Sequence, residues 1–301
     1  MRSVGTFGLP EMGTNLVQSV LIETKPRTFA DLLQVSGLTH GTGVWEGNAQ
    51  SLIKDGTCTI SEVIGTRDDI MRALIRWGVE KSQSFKIMED VRKGKGLKPE
   101  YEEAMKEAGV PEWYPISCKK IKYMFPKAHA AAYVMSAIRL GWYKVHMPKE
   151  FYAAFLSAAP GGFDAEIAAG GKKKVWATIE DIKARVKTKE ATPKEAALVP
   201  TFQLVGEAMA RGIKFLPIKL GKSDAFHFLP EEGGIRMPFS SLAGVGESAA
   251  AAIAETVKEL GDDLSIEELR IGAKLSKSVI DKLASAGVLD GLHETNQLTL
   301  F

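Results

Sequence analysis

Ser241-Leu242-Ala243-Gly244-Val245-Gly246, followed at once by the alanine-rich stretch Glu247–Leu260, is the most informative part of the 301-residue sequence. A hydrophobic-Gly-hydrophobic-Gly turn that opens a helix leaves that helix's first backbone N–H groups without partners. A phosphate oxygen can be held there with no side-chain charge. This is the helix-hairpin-helix arrangement, which contacts the backbone of duplex DNA and so positions it without reading sequence. An ordinary tight turn between packed helices would use the same hexapeptide. Downstream, 266–292 contains Ala273-Lys274-Leu275-Ser276-Lys277 before a helix over 278–286. It reads as a degenerate second hairpin, with Lys274 and Lys277 near the helix start.

Outward from this point the chain is mostly helical. The apolar runs 213–218 and 225–229, bounded by Gly, Pro and Asp, read as the few strands. Residues 163–210 read as helical and carry the run Lys172-Lys173-Lys174, and Ala159-Pro160-Gly161-Gly162 before them marks a domain boundary. In the first half, Thr28 caps a helix that stops at Gly37, and Asp68-Asp69 precede an amphipathic segment ending at Gly78. The stretch 127–156 is the most helix-favouring and must break at Pro148. The expected fold is mainly α, a helical domain followed by a mostly helical one with a few short strands.

Composition narrows the class. With 45% hydrophobic and 25% charged residues the sequence is neither disordered nor collagen-like nor disulfide-stapled. Net charge is +2, so nucleic-acid binding has to come from local clusters. Cys58 and Cys118 lie far apart with no zinc-ligand spacing, which fits buried thiols in a reducing compartment. No apolar run approaches the roughly 20 residues of a membrane span, and the first residues lack a signal-peptide core. The expected location is cytoplasmic, with no membrane partner.

Two clusters supply cations. In 81–98, Lys81, Lys86, Arg92, Lys93, Lys95 and Lys98 face only Glu89 and Asp90, and Gly94 and Gly96 make a flexible backbone that can surround phosphates. A solvated charged face is the plainer alternative, and the Walker A spacing is absent. In 119–133, Lys127, His129 and Tyr133 lie at a helix start, with His129 and Tyr133 four apart on one face. That face can stack on a base or sugar while Lys127 meets phosphate, or Tyr133 can pack in the core while His129 caps.

Several motifs carry a resemblance. Gly5-Thr6-Phe7-Gly8, Pro10-Glu11-Met12-Gly13-Thr14, the loop Ser36-Gly37-Leu38-Thr39-His40-Gly41-Thr42, Val44-Trp45 with Gly47-Asn48-Ala49-Gln50, Phe85-Lys86-Ile87-Met88, and Tyr123-Met124-Phe125-Pro126-Lys127-Ala128-His129 all occur in order. They resemble the C-terminal portion of the PolC-type DNA polymerase III alpha subunit, a C-family replicative polymerase. The resemblance extends to the closing Asn296-Gln297-Leu298-Thr299-Leu300-Phe301. It implies fingers over 1–158, a duplex-binding domain over 159–295 with helix-hairpin-helix units near 238–292, and a clamp-binding tail at 296–301.

The resemblance further implies a nucleotide site built from Arg67, Arg92, Lys93, Lys95, Lys127, His129 and Tyr133, with a deoxynucleoside triphosphate (dNTP) as substrate. DNA contacts fall to Gly244, Gly246, Lys274 and Lys277, and contacts to a beta sliding clamp fall to Gln297, Leu298, Leu300 and Phe301. The catalytic aspartates and their Mg2+ ions belong to the palm, in the palm-containing remainder of the polymerase, so the chain is expected to be inactive alone. Asp68-Asp69 matches a helix-opening acidic pair and is read as a cap rather than a metal site. Gly43, Glu46 and Thr66 depart from the family pattern. A non-catalytic helix-hairpin-helix module tethered to the clamp is the alternative function.

Overall fold

Capping residues set the punctuation of the chain, and the computed structural model describes residues 4–158 and 162–295. Cα packing divides it into two compact units, up to Gly141 and from Trp142. The first holds α1 (Asn15–Thr24), α2 (Phe29–His40), a π-helical turn (Trp45–Ala49), α3 (Gln50–Lys54), α4 (Arg67–Trp77), α5 (Lys81–Arg92), α6 (Pro99–Glu107), α7 (Trp113–Lys120) and most of α8 (Lys127–His146). The second holds α9 (Pro148–Ala158), α10 (Ala165–Ala169), α11 (Gly171–Lys187), α12 (Pro193–Ala210), β1 (Phe215–Leu216), β2 (Leu229–Glu231), β3 (Gly234–Arg236), a 3-10 turn (Phe239–Ser241), α13 (Glu247–Leu260), α14 (Ile266–Gly272) and α15 (Lys277–Ser285). The protein is mainly α.

In the first unit Thr28 caps α2 through a reciprocal bond with Asp31, as its side chain and spacing predict. The helix does not stop at Gly37 but runs on to His40. A Cβ on Gly37 would lie 2.4 Å from the Gly65 carbonyl oxygen, so the glycine permits close approach of two backbones rather than ending the helix. Gly43 has φ of +70°, and a Cβ there would meet the Lys120 oxygen at 2.2 Å. It thereby lets Thr42 and Tyr123 form an isolated antiparallel bridge. Ile70 and Leu74 of α4, Ile87 of α5, Met105 of α6 and Ile121 before α8 fill the core. Cys58 and Cys118 are buried free thiols, and burial pushes both up from the ordinary thiol range.

The second unit begins before the Pro160-Gly161 punctuation because of a buried polar network. Lys144 Nζ lies 2.5 Å from Glu207 Oε1, Tyr152 Oη donates to the same oxygen at 2.5 Å, and Arg211 donates to the Lys144 carbonyl at 2.7 Å. Residues 142–158 are thereby bound to α12. Desolvation lowers the Lys144 ammonium below its usual range, opposed by Glu207. In the small sheet, ordered β1-β3-β2, β1 runs parallel and β2 antiparallel to β3. The first expected strand is present as β1, but of 225–229 only Leu229 is strand. Asp224 Oδ1 accepts from the Phe226 and His227 N–H groups and turns the chain there instead. The central strand lies at Gly234, which in sequence reads as a break. Among the described residues no helix is long and apolar enough to cross a membrane.

Candidate nucleic-acid interface

Two adjacent carboxylates tie the starts of α4 and α8 together. Asp69 Oδ2 accepts from the Thr66 N–H and hydroxyl, each at 2.8 Å, and closes the cap of α4. Its Oδ1 pairs with Lys127 Nζ at 2.7 Å. Asp68 Oδ2 accepts the Lys127 backbone N–H at 2.8 Å and so caps α8, a helix far along the chain. Position along the chain assigns both acids to α4, and the fold gives one of them to α8. The Arg67 N–H donates to the Phe125 carbonyl at 3.3 Å, and its half-buried guanidinium has no hydrogen-bond partner among the described residues. Lys127 opens onto a cleft of about 530 Å³ whose walls include Trp77 and Trp113.

On another side of α8 a ladder of rings is assembled. His40 stacks on Phe125 with centroids 5.0 Å apart, Phe125 meets His129 edge-on at 5.0 Å, and His129 meets Tyr133 at 4.9 Å. The four rings line a smaller cleft of about 140 Å³ together with Glu11 and Ser36. The His40 ring is held between the Ser36 carbonyl, 2.8 Å from Nδ1, and Glu11 Oε2, 2.7 Å from Nε2, which sets its orientation. His129 and Tyr133 therefore share a face, as their spacing requires, and Tyr133 is 39% exposed rather than packed in the core. Lys127 does not line this cleft. Sequence reasoning misses His40 and Glu11 as site partners because only the tertiary fold brings them there, whereas the four-residue step from Phe125 to His129 is legible.

The basic loop is partly paired, two acids being shared among four cations. Glu89 pairs with Arg92 and, at 3.0 Å, with Lys93, and Asp90 lies 3.5 Å from both Lys95 and Lys98. The hydrogen bond from Arg92 holds the Glu89 carboxyl down at about 2, so the pairing supports the fold above the ordinary glutamate range and weakens as pH falls through the folded value. Gly94, at φ of +69°, packs where a Cβ would lie 2.6 Å from the Lys122 carbonyl oxygen. The loop is thus anchored, and its cations lie beside the acids Glu89 and Asp90 of α5.

In the second unit the turn before α13 buries Leu242 and Val245 and exposes Gly244 and Gly246. Gly244 is left-handed at φ of +95°, and Lys282 of α15 lies beside it, 3.4 Å from where a Cβ would sit. Gly246 has extended φ and ψ of −73° and 165°, no side chain caps α13, and no atom lies within 4 Å of a Cβ built on it. The second hairpin differs: Ser276 accepts from the Val279 N–H and caps α15. Lys274 is left-handed at φ of 51°, and both it and Lys277 are exposed. Lys282, which the sequence pattern does not single out, joins them through the packing of α15. The expected clamp contacts Gln297, Leu298, Leu300 and Phe301 lie outside the described residues.

The bacterial DNA polymerase III alpha subunit finger domain model matches residues 1–110, and a helix-hairpin-helix motif model matches residues 212–298. Over 99% of its length the chain is 50% identical to the DNA polymerase III PolC-type of Caldanaerobacter subterraneus subsp. tengcongensis, covering 21% of that protein. It is 49% identical to that of Bacillus cereus and 48% identical to that of Bacillus subtilis, again over 99% of the chain and 20% of the relative. The chain matches the PolC-type DNA polymerase III family. It resembles the family's C-terminal portion, with finger and helix-hairpin-helix parts, and spans about a fifth of the length of the curated relatives it matches.

A PolC-type reaction implies magnesium, and the acidic pair does not fit it. Asp68 is occupied by the Lys127 N–H, while Asp69 is occupied by Thr66 and by the Lys127 ammonium, a cation where a metal ion would have to sit. Among the described residues no group of three or more His, Cys, Asp or Glu side chains could hold a metal ion.

Proposed function

We propose that the chain supplies the fingers and duplex-binding parts of a PolC-type polymerase in template-directed DNA synthesis. It would position an incoming dNTP and the primer-template duplex, with the catalytic aspartates and magnesium ions on the palm of another part of the polymerase, in the cytoplasm. The observation that supports this reading is the 50% identity over 99% of the chain, which spans both the finger and the hairpin regions.

In this reading Lys127 and Arg67 meet the triphosphate, and His129 and Tyr133 contact the sugar or base from the ring ladder. Lys127 leaves Asp69 to do so, exchanging one anion for another. Arg92, Lys93 and Lys95 contribute less, because each already shares Glu89 or Asp90 with a neighbouring cation. The uncapped start of α13 after Gly244 and Gly246 holds a backbone phosphate, and Lys274, Lys277 and Lys282 add charge. The tail carrying Gln297, Leu298, Leu300 and Phe301 binds the sliding clamp weakly and gains processivity from tethering. The test is primer extension with the chain alone and after recombination with a palm-containing segment. The chain alone gives no extension. Lys127→Ala lowers turnover of the recombined enzyme by about 2–4 kcal/mol of barrier with duplex affinity unchanged. Extension by the isolated chain, or normal turnover by the variant, would overturn the proposal.

A further inference from the structure

Glu11 stands at a backbone position that disfavours it. The Met12 N–H donates to the Leu9 carbonyl at 3.2 Å and closes a tight turn with Pro10 and Glu11 at its centre. Proline suits the first of these two places. The second, at φ of 61°, is left-handed and suits glycine or asparagine, because a larger side chain there crowds its own backbone. A partner outside the turn has to favour the glutamate, and that partner is His40, whose Nε2 lies 2.7 Å from Glu11 Oε2. The two side chains are 42% and 24% exposed, and a pair this open to water adds little to stability. Stability therefore does not account for the glutamate, and backbone strain of this kind collects where a site depends on it.

What the glutamate fixes is a ring. His40 Nδ1 lies 2.8 Å from the Ser36 carbonyl oxygen and 3.2 Å from Thr39 Oγ1, so each ring nitrogen has a polar partner. Turning the imidazole half round would break all of these contacts at once, and the ring keeps one orientation. In that orientation it lies 28° from the plane of Phe125, which meets His129 at 71°, and His129 meets Tyr133 at 65°. Edge-on contacts set the positive rim of one ring against the negative face of the next and are sensitive to angle, so a shift at His40 passes along the ladder. Met12, next to Glu11, is buried in the core and gives the carboxylate a fixed support.

We propose that Glu11 is a positioning residue for the incoming nucleotide: through His40 and Phe125 it fixes the face that His129 and Tyr133 present. Glu11 itself touches no substrate. Its role in binding rests on the proposed contact of His129 and Tyr133 with the sugar or base, whereas its hold on the ladder can be tested in the chain alone.

The full chain is labelled with 13C in its histidine rings and compared with Glu11→Gly and Glu11→Gln by proton–carbon correlation spectra. Glu11→Gly removes the carboxylate and relieves the left-handed strain at the cost of a freer unfolded chain, so it should melt close to the parent. It should move the ring signals of His40 and His129 and leave those of His227 and His293, in the second unit, in place. Glu11→Gln keeps an oxygen that accepts a hydrogen bond and should return the His129 signal to the parent position. In the polymerase recombined from this chain and the palm-containing segment, Glu11→Gly should raise the dNTP KM about tenfold, the order of a weakened base–aromatic contact, with kcat little changed and Glu11→Gln near the parent. An unmoved His129 signal in Glu11→Gly would overturn the proposal, as would a melting temperature far below the parent, which would make Glu11 a support of its own turn. His129→Ala separates the two readings. If it raises KM while Glu11→Gly does not, the positioning role alone fails; if neither variant raises KM, the ladder is not the nucleotide face and the proposal falls with that reading.

Discussion

Replacing Gly246 by Asp should move stability and DNA binding in opposite directions. Gly246 is the residue before α13, with φ of −73° and ψ of 165°, the extended geometry from which a side chain folds back to accept a helix N–H. It carries no side chain, and no atom lies within 4 Å of where a Cβ would stand, so Asp fits without strain. Relative to glycine, Asp at this position adds a few tenths of a kcal/mol of capping, and its charge at the positive end of the helix adds about 0.3–1 kcal/mol. The sum is about 0.5–1 kcal/mol, a rise of roughly 2 °C in melting temperature for a unit of this size.

The same carboxylate satisfies the N–H groups that would hold phosphate and places a negative charge against it. Losing one charge-assisted hydrogen bond costs about 1.5–3 kcal/mol, or roughly tenfold to a hundredfold in affinity, before repulsion is counted. Gly244 offers no such separation. At φ of +95° any other residue is strained by about 1–3 kcal/mol, so loss of binding there would be confounded by loss of fold. The assay is duplex binding by the full chain at low salt beside thermal melting. If Gly246→Asp melts higher and binds duplex as the parent does, the α13 terminus is a turn between packed helices and not a phosphate site.

Two further outcomes are expected. Lys144→Met should destabilise the second unit by about 3–5 kcal/mol in a denaturant titration, because it leaves the buried Glu207 carboxylate without its cation, whereas Lys144→Met with Glu207→Met should recover most of the loss; a single variant costing under about 1 kcal/mol would show that the pair is not buried. Deleting residues 297–301 should abolish binding to the cognate sliding clamp at unchanged melting temperature, and intact clamp binding, or a large drop in melting temperature, would count against the tail as a ligand.

The sequence alone determined what depends on neighbours along the chain. The Thr28 cap, the break at Pro148, the shared face of His129 and Tyr133 and the helix after Gly246 follow from local spacing and backbone preference, and the helix-hairpin-helix pattern is legible for the same reason. Misreadings come where a residue answers to a distant partner. Gly37 looks like a helix stop and is a close approach to Gly65; 225–229 looks like a strand and is turned by Asp224; Asp68 looks like a cap for its own helix and caps α8 instead. Charge is the least readable property. The basic run over 92–98 shares Glu89 and Asp90, while Arg72 and Arg76, inconspicuous in sequence, have no ion-pair partner among the described residues. Helix periodicity is carried by bonds and contacts three or four residues apart, so it can be read in one dimension. Whether a cation is free depends on which acids the fold brings within about 4 Å of it, and tertiary structure alone decides that.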